Sequence, residues 1–346
     1  MIERFFRKIF IAIVHDGGAY DVRVVIKKQK KELEKQSRRF EGESAYSQLS
    51  AYVLKQCEIS PMHYIALLNP YPKQGALVSC SANTLEEMEE LIGTQTLCRE
   101  EKWLLYASRR ELDTLAAEYK SVGLDFIFSP FSILEHFFAD KIKGPFALYA
   151  LAQKDAFTIA IFDEGRLEYA YHYPIRSKSS LDGDEENSDI SFSIGLRDEE
   201  DQKREKGISL DDIESLDDLD ILEELNDLSD IEDLDNLEEI VEFSEDEPTF
   251  EEKKLSGFGS DIKRDMDRFN QDYQRFELIQ RTLIRFYDGE RCRNRFVETV
   301  YIADGYGSGN ELKRYLEEEL FLNVLIRHID VADEVIALSV LEEAKL

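Results

Sequence analysis

The chain has 346 residues, enough for two core-bearing units, and carries 43 Lys and Arg against 73 Asp and Glu, a formal net charge of −30. That balance excludes the nucleic-acid binders, whose affinity comes from neutralising phosphates. The 21 Phe and 16 Tyr supply cores, while four scattered cysteines (Cys57, Cys80, Cys98, Cys292) with no C-x-x-C pair argue for a reducing cytoplasm and against a zinc site.

The chain opens MIERFFRKIFIAIV. Its apolar run from Ile9 to Val14 is too short for the apolar region of a signal peptide with a cleavage site behind it. No window reaches the ~18 apolar residues of a membrane span. Phe5, Phe6, Ile9 and Phe10 beside Arg4, Arg7 and Lys8 have the make-up of a membrane-surface segment. A first core strand with a basic lead-in is the preferred reading. The turn His15-Asp16-Gly17-Gly18 leads to a second strand over Val22–Ile26. Helical spacing of Tyr46, Leu49, Tyr52, Val53 and Cys57 covers Ser44–Cys57. A strand over Met62–Leu68 ends at the Pro70–Pro72 turn, and residues 76–92 read as another strand and helix. A strand at Lys102–Ala107 precedes a helix at Arg109–Val122, with Gly123 as its left-handed cap. Phe126 to Leu134 continue as a buried segment, and Phe157–Phe162, Asp163-Glu164-Gly165 and Leu167–Tyr173 form a hairpin. Mixed strands and helices make the class α/β.

From Gly207 to Glu252 there are 21 Asp or Glu and no Lys or Arg, leaving −9 for the other 300 residues. Leu or Ile occupies every third position from Leu210 to Ile240, eleven times in succession. A period of three fits neither a helix nor a strand, and on a helix each step turns the apolar stripe by about 60°. No single face can be buried, so the segment is expected to be low-complexity: disordered, or fluctuating between short helices, when free. It serves either as a solvating spacer or as a docking arm gripping a partner through Leu219, Leu222, Leu225 and Leu228. A long helix over Ile262–Tyr287 follows, with apolar residues every three or four positions. Then comes VETVYIADGYGSGNELKRYLEEEL: a short strand, glycines at 305, 307 and 309, and a helix with Leu312, Tyr315, Leu316 and Leu320 on one face. Strand, glycine loop and helix can present free N–H groups to an anion; the plain alternative is a tight turn.

Four pieces taken in order resemble a known family. They are a strand–Asp16-Gly17-Gly18–strand unit with Arg23; the helix ending at Gly123-Leu124-Asp125; the hairpin Thr158–Tyr171; and the long helix followed by the glycine loop. Together they resemble the actin-like fold of the PilM family of type IV pilus assembly proteins, with relatives among the L components of type II secretion. The resemblance covers most of the chain outside residues 176–256. It implies an α/β, actin-like (ribonuclease H-like) two-lobed fold with a long acidic insertion. Residues 1–145 would be the first lobe with an inserted subdomain, 146–346 the second lobe, and 177–256 the insertion within it. It further implies a cytoplasmic scaffold at the inner face of the inner membrane. Such a scaffold binds the N-terminal tail of a single-pass membrane partner and assembles as a ring or homo-oligomer. The secretion relatives carry their own membrane span, which this sequence lacks, so the PilM-like side is favoured. Related proteins built into flagellar-motor accessory structures are not separated by these motifs.

Actin-like ATPases cradle phosphate with two glycine turns, one per lobe, and a carboxylate that holds Mg²⁺ and water. By the resemblance, Asp16, Gly17, Gly18 and Arg23 match the first turn, although Ala19 and Tyr20 replace its hydroxyl residues. The second turn, six residues before Thr158, has Ala152 and Lys154 where Asp and Gly are expected, and Asp155 comes three residues late. The adenosine-side loop is present as Asp304, Gly305, Gly307 and Gly309. The expectation is a pseudo-ATPase with no catalytic residue and no metal ligand of its own, and ATP with Mg²⁺ as the ligand if binding is retained. The alternative is an active actin-like ATPase or kinase with ATP between the lobes.

Deleting residues 180–252 in favour of a short Gly/Ser linker should leave the melting temperature of the body nearly unchanged, because loop closure varies by only about 0.6 kcal/mol per doubling of length. Calorimetry checks this, and a fall of many degrees would mean the segment packs on the body.

Overall fold

The computed structural model describes residues 6–29, 31–80, 91–99, 102–175, 255–289, 295–307 and 310–345. The acidic segment with Leu219, Leu222, Leu225 and Leu228, together with Cys292, Gly309 and most of the helix expected within 76–92, lies outside the described residues.

The apolar run at Ile9–Val14 is the centre of β1 (Lys8–Asp16), buried on both faces. Ile9, Ile11 and Ile13 join one core, and Phe10, Ala12 and Val14 join another. β2 (Ala19–Lys28) returns antiparallel, and β3 (Lys31–Glu41) pairs antiparallel with β2 at the rim. β4 (Met62–Leu68) and β8 (Phe126–Phe128) run parallel to β1, so the sheet order is β3-β2-β1-β4-β8.

The second half of the chain repeats this plan. β9 (Ala147–Ala152), β10 (Ala156–Asp163) and β11 (Arg166–Pro174) form an antiparallel meander. β12 (Thr299–Asp304) and β13 (Asn323–His328) add in parallel, giving β11-β10-β9-β12-β13. One strand order used twice, each time as a meander plus two parallel strands, is the doubled ribonuclease H-like topology of the actin-like fold.

Helices cover both sheets. α1 (Ala45–Cys57) and α2 (Arg109–Glu118) bury Leu49, Val53 and Leu115 against Ile9, Ile11 and Ile13. α4 (Leu255–Tyr287) and α5 (Asn310–Glu319) bury Phe276, Ile279, Leu312 and Leu316 against the outer face of the second sheet. The remaining two faces share one core with α3 (Pro130–Phe137) and α6 (Val331–Glu343). Phe10 and Leu68 meet Tyr149, Leu151, Phe162, Val335 and Ile336 there. α6 follows the second sheet in the chain, yet it packs on β1, β2 and β4 of the first.

A third, antiparallel sheet is inserted between β4 and α2: β5 (Gln74–Leu77), β6 (Thr94–Arg99) and β7 (Trp103–Ser108), in the order β5-β7-β6. It corrects the cysteine reading. Cys80 and Cys98 form a disulfide with their Cα atoms 5.8 Å apart. Spacing in sequence does not reveal this pair, because the return of β6 alongside β7 creates it. Gly123, at φ +82°, sits in the left-handed region as expected after α2 and a short 3₁₀ turn at Tyr119–Ser121. Among the described residues no helix is long and apolar enough to cross a membrane.

Phe321, between α5 and β13, holds φ +55° and is 88% exposed. A Cβ is disfavoured in that region, and an exposed ring loses little on truncation. Phe321→Gly is therefore expected to stabilise the protein, by about 1 kcal/mol, read from the midpoint of urea unfolding.

Candidate functional site

The β1–β2 connection is a two-residue turn in which Gly17 and Gly18 have φ of +68° and +74°. Tight hairpins of this kind need positive φ at both central positions, so glycine is required twice. The β9–β10 connection, Gln153-Lys154-Asp155, lies where the second turn was expected, closed by Gln153 N–H donating to the Ala156 carbonyl at 3.0 Å. These two turns, one per sheet, meet.

Their contact is reciprocal. Asp16 Oδ1 accepts from the backbone N–H of Lys154 at 2.8 Å and of Asp155 at 3.1 Å. Asp155 Oδ2 accepts from the Gly17 N–H at 2.5 Å. The Lys154 stem lies on Gly17: a Cβ built there would stand 2.2 Å from Lys154 Cδ. The N–H groups that a phosphate would use in this cleft already hold carboxylate oxygens. The residues in this arrangement do not fit a nucleotide phosphate.

Asp304 ends β12 and turns its carboxylate into its own loop, accepting from Tyr306 N–H at 3.1 Å and Gly307 N–H at 2.9 Å. Gly305 donates to the Ala152 carbonyl at 3.0 Å and sits in a tight place, with Val331 Cγ2 3.0 Å and the Ala152 oxygen 3.2 Å from its Cβ position. Gly307 has φ +83°. The glycines at 305 and 307 thus serve close packing and a turn. Arg23, expected as a phosphate cation, is engaged elsewhere. It pairs with Asp330, and its Nε lies 3.0 Å from Asp333 Oδ1. Asp330 is the N-cap of α6 and accepts from Asp333 N–H, so Arg23 ties β2 to the start of that helix.

Arg275 was missed in the sequence. Its side chain is fully buried in α4, donating to the Gln153 carbonyl at 2.9 Å and to Asp272 at 3.3 Å, with its guanidinium 5.0 Å from the centre of the Tyr306 ring. It joins the second turn to the Asp304 loop. A signal existed: Asp272 and Arg275, one turn apart, interrupt the apolar face carrying Phe276 and Ile279.

The cavity left between the sheets measures about 240 Å³ and is lined by Asp16, Arg23, Gln153, Gly305, His328 and Asp330 among others. Sites that bury a ligand of drug size run from about 300 to 1,000 Å³. A larger concavity, about 650 Å³, lies where β5 meets β11, each the outermost strand of its sheet. Tyr106, Tyr169 and Tyr171 line it, and the Tyr106 ring covers Gly75. Among the described residues no cluster of three His, Cys, Asp or Glu side chains is placed to hold a metal ion.

The chain belongs to the family described as Domain of unknown function (DUF8341), matched over residues 148–344, and residues 6–135 match Domain of unknown function (DUF8569). No curated protein matches. Among solved structures it is similar to a Bacteroides thetaiotaomicron protein described as having an actin-like ATPase fold and unknown function. Identity there is 9% over 95% of this chain and 96% of that one, with a TM-score of 0.47. It is also similar to the PilM–PilN type IV pilus biogenesis complex, at 10% identity over 94% and 89% of the two chains, TM-score 0.48. A third is the ethanolamine utilization protein EutJ from Carboxydothermus hydrogenoformans, at 11% identity over 96% and 89%, TM-score 0.37.

Burial is the largest influence on Asp16 and, with the neighbouring Asp155 charge, it pushes the pKa from 3.8 to about 6 against the pull of the two amides. The folded state then holds this proton more tightly than the unfolded chain. Its contribution to stability is present below pH 4 and is lost as pH rises to about 6, a change of about 3 kcal/mol. Asp16→Asn keeps the acceptor and removes the charge. Urea unfolding at pH 4 and pH 7 should show the variant gaining on the wild type by up to that amount.

Proposed function

We propose that this DUF8341 member is a non-hydrolysing, two-lobed scaffold that works by holding a protein partner. The observation that carries the reading is the state of the second turn. Lys154 covers Gly17 and the Asp155 carboxylate takes the Gly17 N–H, in the space where an actin-like ATPase needs bare backbone and a metal-holding carboxylate. The other elements of a phosphate site are engaged as well: Arg23 by Asp330 and Asp333, and the Asp304 carboxylate by its own loop.

The partner class comes from the sequence resemblance: the cytoplasmic tail of a single-pass inner-membrane protein, within a pilus, secretion or flagellar-motor assembly. Under this reading the scaffold sits at the inner face of the membrane and assembles in several copies. The first lobe with its inserted sheet would receive the tail. The concavity between β5 and β11, at the rims of two sheets and lined with tyrosines, suits an extended peptide that adds to a strand edge.

Purified protein should show no Mg²⁺-dependent ATP turnover above background, and affinity capture of the full chain from its own cells should recover membrane-anchored assembly components. Turnover that Asp16→Ala abolishes would falsify the scaffold reading. Cross-links from a captured tail confined to residues 146–346 would move the docking site off the first lobe.

A further inference from the structure

We infer that the two turns are each other's permanent ligand: the carboxylates of Asp16 and Asp155 occupy the anion positions of the cleft and latch the two lobes closed without a nucleotide. The inference rests on the scaffold reading of the cleft and is independent of which partner binds.

The geometry is that of an anion site filled from within. Asp16, on the first sheet, places one oxygen against two consecutive N–H groups of the second-sheet turn, as a phosphate oxygen sits in a turn. Asp155, on the second sheet, returns the contact to the first at Gly17. Charge-assisted contacts of this kind are about twice as strong as neutral ones, and here three of them cross between the lobes. The Lys154 stem packs over the glycine between the two carboxylates, filling the space that an incoming phosphate needs. Alongside, Arg23 and Lys35, from β2 and β3 of the first sheet, bind Asp333 at the start of α6, the helix that follows the second sheet in the chain. A polyphosphate entering the cleft has to displace two tethered carboxylates and a lysine stem together. In a nucleotide-operated actin-like machine, closure is set by the bound nucleotide. In this chain it is set by residues 16 and 155.

The test is amide hydrogen exchange on the full chain, resolved to the turn residues, with and without millimolar ATP and Mg²⁺. In the wild type the amides of Gly17, Lys154 and Asp155 should be protected without nucleotide, and ATP should leave them unchanged. Asp155→Ala should raise exchange about tenfold at Gly17 and also at Lys154 and residue 155, whose own acceptor is intact; loss at both turns marks a latch rather than isolated contacts. Asp155→Asn, which keeps an acceptor, should retain most of the protection, and its melting curve controls for folding. Fast exchange at these amides in the wild type would overturn the inference. So would added protection by ATP, or an effect of Asp155→Ala confined to Gly17. A failed partner capture with these exchange results intact would count against the partner reading alone.

Discussion

Backbone N–H groups brought into a closed cleft must find an acceptor, and the middle of this protein is organised by that requirement. Two tight hairpins, one from each sheet, point their amides into a shared gap. Left unpaired, each would cost about 1–3 kcal/mol. Supplying the acceptors from the opposite turn solves the problem within the chain. It also sets two carboxylates near each other in a half-buried place. The upward push on Asp16 is the cost of that choice, and it is moderated by the two amides, of Lys154 and Asp155, that donate to its carboxylate.

The large apolar interface makes this arrangement rigid enough to matter. The inner faces of both sheets share one core, with Tyr149 stacked on Tyr301 and meeting Phe138 and Phe162. Arg275 fastens the second turn from behind by its contact with the Gln153 carbonyl. The turns are therefore held by packing on two sides and by hydrogen bonds across the gap. Tyr306, whose ring lies against the Arg275 guanidinium, extends the same support to the Asp304 loop.

Much of this was legible in the sequence. Strand-forming runs at Ile9–Val14, Met62–Leu68 and Phe157–Phe162 alternate or stay apolar, and α1 and α4 keep a helical period, so each announced itself. Gly17, Gly18 and Gly123 were visible because only glycine is at ease at their φ values. What stayed hidden had physical reasons. β3 reads KELEKQSRRFE and buries only Phe40, so it shows no apolar pattern; its charges suit an exposed rim strand. α6 reads VADEVIALSVLEE and is clasped from more than one side, so no single stripe stands out. The Arg23 pairing and the Cys80–Cys98 bond depend on α6 and on the return of β6, and neither can be read from neighbours in sequence. The contact between Asp16 and the Lys154–Asp155 turn was out of reach as well, since it joins residues 138 positions apart.

The position of α6 also bears on how the protein comes into being. Val335 and Ile336 complete a core begun by Phe10 and Ala12, more than three hundred residues earlier in synthesis. Until residue 343 has left the ribosome, one face of the first sheet lacks its cover, and Arg23 and Lys8 lack Asp330 and Glu343. The amino-terminal half, though made first, is then the half that waits. A nascent chain halted before Val331 would present an open β-sheet with an apolar face to the chaperones of the cell.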